Sequence, residues 1–103
     1  MAFECTVGRD GDALAVMPQG DLDMESIVVL RELLKQAIEA GEHTRIAIDM
    51  QAVTFLDSSG IGMLVAAQRA AAARGMTLML HEPGPMIRMV LQIANLDGTL
   101  VAS

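Results

Sequence analysis

Short strand-like runs alternate with helix-like segments along this chain, and the alternation restricts the fold more than any other feature. Residues 3–7 and 13–17 are strand-like and flank a cluster of turn formers, which predicts a β-hairpin. Further strand-like runs stand at 45–49, 76–81 and 99–101, and helix-like segments at 23–40, 58–73 and 86–94. The order ββαβαβαβ predicts an α/β fold, with a mixed sheet of four to five strands covered by three to four helices.

The first helical segment has a start signal and a stop signal. Ile27, Leu30 and Leu34 recur at helical spacing, which predicts an amphipathic helix. Asp23 stands where a capping residue is expected, and Gly41 stands where the helix should end. Asp23 is therefore interpreted first as a helix cap, although a cap in a loop beside the second helix could also serve a binding site.

The composition indicates one ordinary domain and argues against several kinds of partner. The 103 residues suit a single domain, predicted to span 1–103. No apolar run approaches the roughly 20 residues that span a bilayer, and the N-terminus lacks the basic start of a signal peptide, so we expect a cytoplasmic protein without direct membrane contact. The net charge of −6 argues against nucleic acid and favours a protein partner with a basic surface.

Sequence motifs for catalysis, metals and cofactors are missing. Cys5 is the only cysteine, and His43 and His81 lie far apart, so we expect no metal site. The chain lacks a Gly-x-x-x-x-Gly-Lys phosphate loop, and Ser58 does not stand in a Gly-x-Ser-x-Gly context. We therefore expect neither a cofactor nor enzymatic activity.

One segment combines an apolar run, an Asp-Ser-Ser-Gly sequence and the start of a helix-like region. It is Phe55-Leu56-Asp57-Ser58-Ser59-Gly60-Ile61-Gly62. The simplest interpretation is a helix cap by Asp57 or Ser58, which contributes about 0.5 to 2 kcal/mol. The free N–H groups and positive dipole end of a helix would also tolerate a phosphate there. Such a phosphate adds about −1.5 to −2 charges beside Asp57, Asp21 and Asp23, and can spoil an interface without unfolding the protein.

Residues 55–62 resemble the signature of the STAS family of bacterial anti-sigma-factor antagonists, and Gly20-Asp21-Leu22-Asp23 resembles the family's earlier Gly-x-Leu-Asp motif. The resemblance extends over essentially the whole chain and implies the STAS fold. It also implies that the unphosphorylated protein binds an anti-sigma factor, a GHKL-type serine kinase, and so releases the sigma factor. Phosphorylation of Ser58 by that kinase would abolish binding, and a PP2C-type phosphatase would restore it.

The same resemblance identifies candidate site residues, with Ser58 as phosphoacceptor and Ser59 as its helper. Partner contacts are expected at Asp21, Asp23, Asp57, Ser58, Ser59, Gly60, Ile61 and Met63. We expect a monomer or a weak dimer. Two alternatives keep the same fold: a STAS subunit that regulates a transporter or lipid-transport complex without phosphorylation, and a nucleotide-sensing STAS module.

Two glycines and three methionines have more than one interpretation. Gly60 and Gly62 each weaken a helix by about 1 kcal/mol relative to alanine, so close approach of a partner or of a neighbouring strand must offset that cost. Met63, Met86 and Met89 are predicted either to fill the core or to form an adaptable docking surface on outer helix faces.

Overall fold

A five-stranded sheet lies at the centre of the computed structural model, which describes residues 3–102. Met1, Ala2 and Ser103 belong to the predicted domain 1–103 but lie outside the described residues. The strands are β1 (Glu4–Asp10), β2 (Ala13–Leu22), β3 (Arg45–Asp49), β4 (Val53–Leu56) and β5 (Thr77–His81). The helices are α1 (Ser26–Ala40), α2 (Ser58–Ala72), α3 (Pro85–Ile93) and α4 (Asp97–Leu100).

Strand β2 organises the sheet because it pairs with three other strands. It forms the predicted antiparallel hairpin with β1. Its residues 13–16 pair in parallel with β3, and its residues 20–22 pair in parallel with β4. Pro18 lies between these two parallel ladders, so a residue without a backbone N–H interrupts neither of them. Strand β5 extends the sheet beyond β3 in parallel.

The apolar core lies between the sheet and the helices. Leu30 of α1, Leu64 of α2 and Leu91 of α3 are fully buried together with Ile48 and Leu80 of the sheet. Burial of one such side chain contributes about 1.5 to 3 kcal/mol. In the part of the chain that the structure describes, no helix is both long enough and apolar enough to cross a membrane.

The predicted α/β fold, a mixed sheet with three to four helices, is confirmed, and two local assignments differ within it. The order along the described residues is ββαββαβαα. Strand β4, missed by the sequence interpretation, has only four residues, which is too short for an alternating pattern to be visible. Of residues 99–101, predicted as a strand, Thr99 and Leu100 instead end α4, because their N–H groups both donate to the Leu96 carbonyl. Only Val101 forms a bridge, to Leu80.

Gly60 allows the start of α2 to pack closely on the two strands beneath it. A Cβ atom added to Gly60 would lie 2.7 Å from Leu56 Cδ1 and 3.2 Å from the Leu22 carbonyl oxygen. A Cβ atom added to Gly62 would meet no other described heavy atom within 4 Å, apart from its chain neighbours and the backbone of α2. Close approach of neighbouring strands therefore explains why position 60 requires a glycine, but it does not explain the glycine at position 62.

The two glycines form a matched pair for mutagenesis. We expect Gly62→Ala to raise the free energy of unfolding by about 0.5 to 1 kcal/mol, because alanine favours the helix and meets open space. We expect Gly60→Ala to lower it by about 1 kcal/mol net, because overpacking outweighs the helix propensity. Urea unfolding followed by circular dichroism measures both values, and equal changes for the two variants would contradict the role given to Gly60.

Candidate partner-binding site

The register of two parallel strands brings the two sequence motifs together. Leu22 at the end of β2 pairs with Leu56 at the end of β4. Asp23 and Asp57 follow these leucines directly, so they leave neighbouring strands at the same edge of the sheet. Adjacent strands lie about 4.8 Å apart, which makes two aspartates that are distant in sequence close neighbours in space.

Asp57 caps α2. Its Oδ1 accepts hydrogen bonds from the backbone N–H groups of Ser59 and Gly60, both at 3.0 Å, and from the Ser59 hydroxyl. The Ser59 hydroxyl and then the Gly60 N–H lower the pKa of Asp57, and the negative charge of Asp23 opposes this in part. Asp57 is thus a carboxylate at neutral pH whose capping oxygen is already occupied.

Ser58 is the first residue of α2 and is exposed to solvent. The hydrogen bonds that close the turn use the Asp57 carboxylate, the Ser59 hydroxyl and the backbone, not the Ser58 hydroxyl. Of the two capping candidates in the sequence, Asp57 caps the helix. Ser58 stays accessible to another protein.

Asp23 caps the turn that leads into α1. Its Oδ1 accepts from the N–H groups of Glu25 at 3.1 Å and Ser26 at 3.0 Å, and the Ser26 N–H is the main cause of a lowered Asp23 pKa. The buried Ser26 hydroxyl accepts from the Asp23 N–H at 2.9 Å and donates to the Asp21 carbonyl. Asp23 therefore caps the turn over residues 23–25 and not the helix directly, because α1 begins at Ser26 with Glu25 at its N-cap position and no side-chain cap hydrogen bond.

Asp21 adds a further carboxylate close to this edge. It is exposed, and the Thr54 hydroxyl donates to its Oδ1, which links β2 and β4. A cavity of about 470 Å³ next to it is lined by Asp21, Asp23 and Glu25 together with uncharged residues only. We call the surface formed by Asp21, Asp23, Asp57 and Ser58 the acidic edge.

The other predicted contact residues differ in their accessibility. Ser59 and Ile61 are half-buried. Gly60 is buried, and Met63 is only 6 % exposed and packs in the core, so neither presents a free side chain to a partner. Gly60 instead allows the start of α2 to pack closely on Leu22 and Leu56.

Exposed apolar residues next to the acidic edge were missed by the sequence interpretation. Met24, directly after Asp23, is 74 % exposed, and Phe55 of β4 is 45 % exposed. Large apolar side chains exposed beside a candidate site offer contact area to a partner. Their positions next to the two motifs could have indicated them from the sequence. Their exposure, however, depends on strand β4, which was not distinguished in the sequence from the loop before α2.

Comparison with known proteins places the chain in a family. A family model described as "Mlab, STAS domain" matches residues 5–102. An anti-sigma F factor antagonist of Lysinibacillus sphaericus is 33% identical over 78 residues, which cover 75% of this chain and 66% of that relative. The match therefore spans slightly less than two thirds of the relative's length.

Solved structures agree with this placement. The anti-sigma factor antagonist SpoIIAA in its unphosphorylated form is 25% identical with a TM-score of 0.82, covering 99% of this chain and 88% of that one. The Bacillus cell fate determinant SpoIIAA in the phosphorylated form is also 25% identical, with a TM-score of 0.75 over 99% of this chain and 91% of that one. The predicted STAS fold is confirmed, and since the family model covers nearly all of the described residues, this chain belongs to the STAS family.

Proposed function

We propose that this chain is a cytoplasmic anti-sigma-factor antagonist that acts as a phosphorylation-controlled binding switch. Unphosphorylated, it binds an anti-sigma factor that is also a GHKL-type serine kinase, and the sigma factor is released. The kinase phosphorylates Ser58, binding is lost, and a PP2C-type phosphatase restores the binding form. The observation that supports this most directly is the exposed, uncommitted Ser58 hydroxyl at the first residue of α2, inside the acidic edge.

The fold should survive modification of Ser58. The cap of α2 is made by Asp57 with Ser59 and Gly60, so a phosphate on Ser58 removes none of the capping hydrogen bonds. The positive end of the α2 dipole also compensates part of the added negative charge. The modification therefore acts on the surface and not on the core.

In this proposal the kinase supplies both the phosphoryl group and the catalytic base. The nearest cap carboxylate, Asp57, accepts its hydrogen bonds from Ser59 and the backbone, and not from Ser58. In the transfer, Ser58 Oγ bonds to the γ-phosphorus of ATP, the bond to the β-phosphate oxygen breaks, and the hydroxyl proton passes to a base of the kinase. The chain is thus substrate and ligand of its partner, and not itself a catalyst.

The same geometry explains why the product should dissociate. A serine that receives the γ-phosphoryl group must lie against the nucleotide phosphates of the kinase. Once modified, its dianion faces those phosphates while Asp23 and Asp57 stand behind it. Leaving such a charge unpaired in an interface costs about 2 to 5 kcal/mol. At about 1.4 kcal/mol per tenfold, binding weakens roughly 30- to several-thousand-fold.

Incubation with the anti-sigma kinase and ATP should place one phosphate on Ser58, detected by peptide mass mapping. Ser58→Ala should abolish labelling, whereas the neighbouring Ser59→Ala should still be labelled at Ser58. Label on Ser59 would contradict the assignment of the acceptor. A protein that no kinase labels would favour the alternative of a STAS subunit that regulates a transporter, and saturable binding of labelled nucleotide would favour the nucleotide-sensing module.

Two Ser58 variants should differ in their affinity for the same kinase. Ser58→Ala should bind as tightly as the unphosphorylated chain in isothermal titration calorimetry, because the hydroxyl makes no capping bond. Ser58→Asp should bind at least tenfold more weakly, because a permanent carboxylate adds to the acidic edge. Both should unfold at the same temperature within a few degrees. If both variants bound equally well, the switch would not lie at Ser58.

A further inference from the structure

A second surface, distinct from the acidic edge, is a groove of about 590 Å³ between α1 and α2. Its floor includes the buried Leu34 and Ile38 of α1, and its α2 wall includes Gly62, Ala66 and Ala70. The groove extends from Ser59 at the start of α2 to Arg74 just beyond its end. At 1.5 Å per residue this is about 20 Å, the length of roughly four helical turns.

The charge at the rim of the groove is opposite to the charge of the chain. Arg31 and Lys35 line it one turn apart on α1, and Arg74 lines it beyond the end of α2. Glu39 is the one acidic residue in the lining. The groove thus has three of the chain's seven lysines and arginines, although the chain has a net charge of −6. Arg74 Nη1 also donates to the Glu39 carbonyl oxygen at 3.3 Å, which ties the ends of the two helices together.

Exposed small residues form a row along the α2 wall. Gly62, Ala66 and Ala70 recur every four residues and all are exposed. The close-packed strands account for Gly60, but a Cβ atom built on Gly62 would have no described heavy atom within 4 Å apart from its chain neighbours and the backbone of α2 itself. Rows of residues spaced by four are the ridges on which helices pack, and small residues there allow a second backbone to come close. The wall is shaped for a helix that residues 3–102 do not supply.

We propose that this groove binds an amphipathic helix of a partner protein, with an apolar face flanked by aspartate and glutamate side chains. The apolar face would cover the floor and the small residues of α2, as in other helix-in-groove complexes. The carboxylates would pair with Arg31 and Lys35 on one side and with Arg74 at the end. The three cations are distributed over the length of the groove, which matches several carboxylates along a helix and not the single carboxylate of a fatty acid.

A designed peptide tests the chemistry directly. The probe is a fluorescein-labelled 18-residue helix with leucines at i, i+3, i+4 and i+7 flanked by glutamates, and the control has lysine in place of every glutamate. We expect saturable binding of the acidic peptide by fluorescence anisotropy, binding at least tenfold weaker for the lysine peptide, and amide shifts confined to α1 and α2. No saturable binding, equal affinity for both peptides, or shifts elsewhere would overturn the proposal. Saturable amide shifts in α1 and α2 on addition of laurate, with no peptide binding, would overturn the proposal and assign the groove to an acyl ligand.

Two pairs of variants complete the test. Arg31→Glu combined with Lys35→Glu should weaken binding of the acidic peptide at least tenfold. Arg9→Glu combined with Arg88→Glu makes the same charge change at exposed residues outside the groove and should not weaken binding. Ala66→Tyr should block the groove, whereas Ala72→Tyr makes the same change at an exposed residue of α2 outside it. Equal effects within either pair would overturn the proposal.

Ser58→Ala should bind the acidic peptide like the parent chain, because Ser58 does not line the groove. The outcome of the peptide experiment is thus separate from the outcome of the kinase experiments.

Discussion

The pairing of β2 with β4 is the constraint on which the candidate site depends. Its register places Leu22 opposite Leu56, and each leucine is followed at once by an aspartate that caps a turn or helix. One parallel ladder therefore fixes the spacing of both caps and the entry of both α1 and α2. Gly60 completes this arrangement because it lets α2 lie directly on the two leucines. The acidic edge is a product of strand pairing and of local loop chemistry together.

Neighbouring residues of the α2 turn have separate tasks. Asp57 and Ser59 hold the helix end through their side chains, and Gly60 allows close packing. Ser58 does none of this, and it is the exposed residue among them. A hydroxyl that is not needed for stability can be modified without loss of the fold, which is the physical requirement for a switch that must be reversed.

Much of the fold and the centre of the site could be predicted from the sequence, because their signals are local. Strand β3 at Arg45–Asp49 was predicted with its observed bounds, and the caps at Asp23 and Asp57 follow from residue type and position. Strand β4 could not be predicted, because four residues become a strand only by pairing with β2. The burial of Met63 and the groove beside Gly62 depend on how α1 and α2 meet, which no local pattern encodes.

Strand β2 pairs with β3 before Pro18 and with β4 after it, and this change of partner strand affects where the sequence can vary in length. Insertion of one residue in β2 before Pro18 would shift the hairpin and the β3 ladder against the rest of the sheet while Leu22 could still face Leu56. Insertion after Pro18 would instead move Asp23 away from Asp57 and leave the hairpin register from Ala13 to Pro18 intact. Length variation in relatives should therefore be tolerated differently on the two sides of a single proline, with the second half of β2 held constant by the spacing of the two aspartates.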